Sequence, residues 1–161
     1  MADFHHRNNR WLLFIVLCCG WIFLNSLFQG DASSAISGSV LQLLQKVIRF
    51  VGGNPGWITM HRVRKAAHFM EYALLGGLLL SAHPKHGKGW LYPALFWGLC
   101  IPLLDEGLQL LVPGRTGKVQ DVWLDFSGVL VGMGAAYLLH RLWRFGTRNN
   151  FKSDVQGQQD E

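Results

Sequence analysis

Charge is scarce in this chain. Only 16% of its 161 residues are Asp, Glu, Lys or Arg, against roughly 25% in soluble domains. The charge is also segregated, leaving apolar runs near 11–28, 66–82, 90–104 and 122–139. Runs of this length cross a hydrocarbon core, so a soluble globular domain is excluded. Cysteine is nearly absent too. Cys18, Cys19 and Cys100 all fall inside apolar runs, which leaves neither a disulfide framework nor a zinc site. They read as small hydrophobes. The chain carries no Ser/His/Asp spacing, no glycine-rich phosphate loop and no diagnostic metal-ligand spacing, so neither a cofactor nor a metal is assigned. Trp21, Asn25 and Phe28 make no small-residue cleavage site, so the first run reads as a retained anchor rather than a signal peptide.

What is present is one membrane domain. At 161 residues there is no room for a separate soluble catalytic domain. The net charge of +5 comes from basic residues that flank the apolar runs. Headgroup contact and topology therefore explain it better than nucleic acid, which is not expected as a partner. The expected fold is all-α, with four transmembrane helices and one interfacial amphipathic helix. Residues 1–10 read as a cytoplasmic tail, 11–145 as the membrane domain and 146–161 as a polar, disordered tail. The spans are placed at about 11–28, 66–82, 90–111 and 121–141.

Between the first two spans, 29–39 reads as a Gly/Asp/Ser linker, and 40–51 has clean helical periodicity. Gln42, Gln45, Lys46 and Arg49 share one face, and Val40, Leu43, Leu44, Val47, Ile48 and Val51 the other. Such a helix lies in the headgroup plane or caps the bundle. Gly52-Gly53-Asn54-Pro55-Gly56 ends it with turn chemistry. Residues 83–89 form a tight basic loop. Pro102 lies inside the third span and predicts a kink or local opening just before Asp105. Basic residues are nearly balanced between the two sides. Arg7 and Arg10 precede the first span and nothing basic lies near its exit, which puts both termini in the cytoplasm of a multi-pass inner-membrane protein.

The polar residues that remain are costly at membrane depth, and such residues mark function. On a helix, Lys65, His68 and Tyr72 fall within an arc of about 60°, with Glu71 adjacent. Asp105 and Gln109 share a face, with Glu106 on its flank. Asp121, Asp125, Gly128 and Gly132 again lie within about 60°. The glycines mark that face as closely packed on another helix, which turns both aspartates inward. Arg115 follows in the loop. Lys65, His68, Tyr72, Asp105, Glu106, Gln109, Arg115, Asp121 and Asp125 are thus expected to line one polar pocket.

Four chemistries fit that set. In a structural network, Lys65 and Arg115 neutralise Asp105, Glu106 or Asp121. In recognition, Arg115, Lys65 and His68 hold a headgroup or phosphate. In catalysis, His68, Glu106 or Asp105 acts as a general base. A metal on Asp105, Glu106, His68 and Asp121 is chemically feasible, without spacing that is diagnostic of it. His5, His6, His83, His86 and His140 sit in tails or interfacial ends and read as solvated.

Taken together, His68-Phe69-x-x-Tyr72, Asp105-Glu106-x-x-Gln109, Pro113-Gly114-Arg115 and Asp121 followed by Gly128-x-x-x-Gly132 resemble the VanZ-like family. These are small bacterial membrane proteins named after a protein associated with teicoplanin resistance. The resemblance runs from about Lys65 to Tyr137; one departure is Asp125, where the family pattern would have Asn. It implies a cell-envelope protein whose extracytoplasmic pocket engages a membrane lipid, a lipid-linked envelope precursor or an amphiphilic glycopeptide antibiotic. The alternatives are a phospho- or acyl-transferase or hydrolase on a lipid-linked substrate, and a structural subunit of an envelope protein complex.

Overall fold

A computed structural model describes residues 2–27, 31–82, 91–112 and 117–157, with side chains over 10–27, 38–82, 91–112 and 117–145. The described residues form five α-helices: α1 (Ala2–Leu27), α2 (Asp31–Phe50), α3 (Met60–Ala82), α4 (Tyr92–Gln109) and α5 (Val119–Gly157). A short 3-10 turn, Pro55–Trp57, stands between α2 and α3. The basic loop at 83–89, with His83 and His86, and the Pro113-Gly114-Arg115 stretch lie outside the described residues, as do the His5 and His6 side chains.

Among the described residues, two helices are long and apolar enough to cross a membrane, over Arg10–Leu27 of α1 and Val119–Phe145 of α5. α3 and α4 pack with them but have more mixed compositions. α3 carries Arg62, Arg64, Lys65 and Glu71 in its first half, and α4 carries Asp105 and Glu106 near its end. A composition average charges those residues to the whole helix, although Asp105 and Glu106 face inward.

The surface is apolar and the interior partly polar. Leu12, Leu13, Leu17, Phe96, Leu104, Leu138 and Leu142 are exposed, whereas Ser26, Asp105, Glu106 and Asp125 are buried. Water would invert that arrangement; lipid favours it. The core between the polar layer and the far end of the bundle is built from Ile22, Tyr72, Leu75, Leu79, Ala94, Ile101, Val129 and Met133.

α3 and α5 share the most extensive interface, and glycine explains it. A methyl placed on Gly132 would run into the Ala73 carbonyl, and one on Gly76 into the Val129 carbonyl. Backbone meets backbone here, as at small-xxx-small crossings. The small-residue face read from Gly128 and Gly132 is therefore the α3–α5 seam.

Four elements differ from expectation. α2 begins at Asp31, so most of the expected linker is helical; no proline interrupts it before the amphipathic stretch. α3 begins at Met60, ahead of the span expected at 66–82, and so holds Lys65 in helical phase with His68 and Tyr72. α4 runs unbroken through Pro102, whose ring is buried, so the missing hydrogen bond opens no gap in the helix. The α5 backbone stays helical to Gly157, through residues whose composition predicts disorder; no proline stops it.

The 52–56 turn is as expected. Gly52 has φ +80°, and its N–H donates to Arg49 O at 3.1 Å while Gly53 N–H donates to Ile48 O at 2.8 Å. That is the paired closure of a Schellman C-cap. Val40, Leu43, Leu44, Val47 and Phe50 of α2 are exposed, while Gln45 donates to Ile58 O at 3.3 Å. The apolar face of α2 is thus turned away from the protein.

Candidate functional site

Four helices bring polar groups to one end of the bundle. α1 contributes its last turns, α3 its first half, α4 its last turns and α5 its first two turns, as antiparallel packing requires. Asp105 is the centre and is fully buried. Its Oδ2 accepts from Ser26 Oγ at 2.9 Å and from Gln109 Nε2 at 3.3 Å. Gln109 also donates to Ser26 Oγ at 3.4 Å. These donors fix the carboxylate plane and so aim the other oxygen. Asp105 Oδ1 is buried without a hydrogen-bond partner.

His68 of α3 and Asp125 of α5 meet Asp105 there. One candidate ligand atom from each of the three lies within 4.8 Å of the others. Asp125 is 2% exposed and His68 half-buried. The Tyr72 hydroxyl has Asp105 and Asp125 as acidic neighbours, is fully buried, and closes no hydrogen bond. Such groups are costly to bury, because nothing replaces the water they lost.

Around this centre the other acids have partners. Lys65 Nζ pairs with Asp121 Oδ1 at 2.6 Å, both half-exposed. Glu106 Oε2 accepts from Lys118 N–H at 2.8 Å, just before the start of α5, where a helix's positive end favours an anion. Glu71 accepts from Trp21 Nε1 at 3.0 Å and from Asn25 Nδ2 at 2.7 Å.

A family model described as VanZ/LLP1 matches residues 11–140. The chain belongs to the VanZ/LLP1 family. Comparison with curated proteins and with solved structures gives no match. Family membership and two helices of spanning length make this VanZ/LLP1 member a membrane protein.

Of the nine residues expected to line one pocket, the structure groups eight at this end of the VanZ/LLP1 bundle: Lys65, His68, Tyr72, Asp105, Glu106, Gln109, Asp121 and Asp125. The ninth, Arg115, lies outside the described residues. The inner grouping is not the one the sequence suggested for a metal. Asp125 stands beside His68 and Asp105, whereas Glu106 turns to the α5 start and Asp121 to Lys65.

Sequence reasoning missed α1 altogether. Trp21, Asn25 and Ser26 supply three donors to the site. The signal was an adjacent Asn and Ser near the end of an apolar span, since polar side chains in such helices usually bond across to a neighbour. His140 also departs from expectation. It is half-buried at the opposite end, 3.3 Å from Ser81 Oγ, rather than solvated.

Proposed function

We infer that this VanZ/LLP1 protein is a four-span inner-membrane protein whose polar pocket engages the head of an envelope amphiphile. Candidates are a membrane lipid, a lipid-linked envelope precursor or an amphiphilic glycopeptide. Both termini are cytoplasmic, because Arg7 and Arg10 precede α1, and the pocket then opens on the extracytoplasmic side. α3 and α4 supply the second and third spans, with their charged ends at the headgroups.

One observation carries the reading. An apolar groove of about 640 Å3 runs along α1, α3 and α4, lined by Leu12, Val16, Phe23, Leu79, Ile101 and Leu104, among others. It ends beside the polar cluster: Phe23 lies one turn from Ser26, and Leu104 precedes Asp105. Its volume is within the range of small-molecule sites. A tail in the groove would bring its head to Gln109, the half-exposed member of the Ser26–Asp105–Gln109 network. The carboxylates favour a head bearing hydroxyl or amine donors, since they are acceptors when ionised.

The reading is tested in cells. Expressed in a glycopeptide-susceptible host, the wild-type chain should raise survival in teicoplanin. Asp105→Asn and Leu104→Trp, which change the head and tail subsites separately, should each abolish the gain at equal membrane abundance. Protection by both variants equal to wild type would refute the pocket's role.

A further inference from the structure

We propose that His68, Asp105 and Asp125 form a binding site for a divalent cation of the borderline class, Zn2+ or Fe2+. The three residues come from α3, α4 and α5, and their candidate ligand atoms lie within 4.8 Å of one another. Tetrahedral ligands at about 2.1 Å from a common ion are about 3.4 Å apart. Side-chain closure on the order of 1–1.5 Å completes the site.

Proximity of acids alone would not carry this. The deciding feature is Asp105 Oδ1, buried with no hydrogen-bond donor although its sister oxygen has two. A carboxylate held by two donors on one oxygen and bare on the other is arranged as metal ligands are, with neighbours orienting the coordinating group. Ser26 and Gln109 are those neighbours. The Tyr72 hydroxyl, also buried and without a partner, is a further oxygen beside Asp105 and Asp125. Two carboxylates enclosed together repel each other, and a dication between them removes both the repulsion and the unmet acceptor.

The donor set selects the ion. One imidazole with carboxylate oxygens suits zinc or iron better than magnesium, calcium or manganese, which favour oxygen shells. Three protein ligands also leave a coordination position for water or an incoming group. Asp125 supplies the second carboxylate, and Asn in its place would offer only a neutral ligand. The site does not require an amphiphile, and the amphiphile reading does not require a metal.

The test uses the full chain in detergent, with His5, His6, His83 and His86 replaced by Gln to silence peripheral imidazoles. After stripping with chelator and equilibration with Zn2+, elemental analysis should find about one zinc per chain. His68→Gln and Asp125→Asn in that background should each weaken zinc binding at least about tenfold, and Ser26→Ala roughly 10–100-fold through misorientation of Asp105. His140→Gln, at the opposite end of the bundle beside Ser81, should bind as the parent does. Because the ligand variants can misfold, Co2+ is also added to the parent, where d–d absorption bands of nitrogen and oxygen ligation should appear. Absence of stoichiometric zinc and of those bands overturns the proposal, as does unchanged zinc affinity in folded His68→Gln or Asp125→Asn. Loss of zinc with teicoplanin protection intact would leave the amphiphile reading standing, and the reverse result would leave the metal site.

Discussion

Gly132→Ala is the smallest change that tests how the site is assembled. The added methyl would overlap the Ala73 carbonyl of α3, and a backbone atom cannot rotate away as a side chain could. Overpacking of this kind costs about 1–3 kcal/mol. Replacing glycine by alanine inside a helix returns about 1 kcal/mol, so the net loss is roughly 0–2 kcal/mol. Gly134, two residues along the same helix, has nothing within 4 Å of the position a methyl would take. Gly134→Ala keeps the propensity gain and meets no clash. The two variants should therefore differ by on the order of 1–3 kcal/mol, or roughly 2–12 °C in Tm for a chain of this size. Thermal unfolding in detergent, followed by tryptophan fluorescence, reads the difference directly. Gly132→Ala should also weaken whatever the pocket binds, because the α3–α5 seam sets the separation of His68 from Asp125. Equal melting of the two variants would mean that α3 and α5 do not meet backbone to backbone.

Three further predictions follow from the same contacts. Lys65→Met should destabilise the protein by about 1 kcal/mol, a modest amount for a half-exposed pair; adding Asp121→Asn should recover part of it, and additive losses in the thermal-melt cycle would separate the two residues. Ser26→Ala should cost about 1–3 kcal/mol, because it removes a donor from a buried carboxylate; chemical denaturation in mild detergent measures it, and a loss near zero would remove α1 from the site. A reporter fused after Lys152 should read cytoplasmic and one inserted in the 52–56 turn extracytoplasmic; the opposite labelling would move the pocket to the other face.

The sequence made the membrane class, the helices and most of the polar end legible, because each rests on a local rule. Helical phase places Asp105 with Gln109 and Asp125 with Gly128 and Gly132, and the structure puts those residues on inward faces. Phase does not say how far one helix slides along another. That offset decides which of Asp121, Asp125 and Glu106 meets His68, and it selects Asp125. Asp121, one turn earlier, reaches Lys65 instead. α1 was opaque for a different reason. Its apolar run satisfied the reading of an anchor, and a serine and an asparagine near its end carry no chemistry until Asp105 and Glu71 are placed beside them. Polar composition reads as a boundary at the starts of α2 and α3 and at the end of α5, where the helices run on. In these helices, the absence of proline lets the backbone continue past it.

Native mass spectrometry of the protein released from its own membranes tests the central claim most directly. The account predicts one non-covalent amphiphile per chain, retained by Glu71→Gln and lost in both Asp105→Asn and Leu104→Trp at unchanged folding. A wild-type chain that flies bare at activation energies preserving other protein–lipid complexes would contradict it. So would an adduct that survives both pocket substitutions.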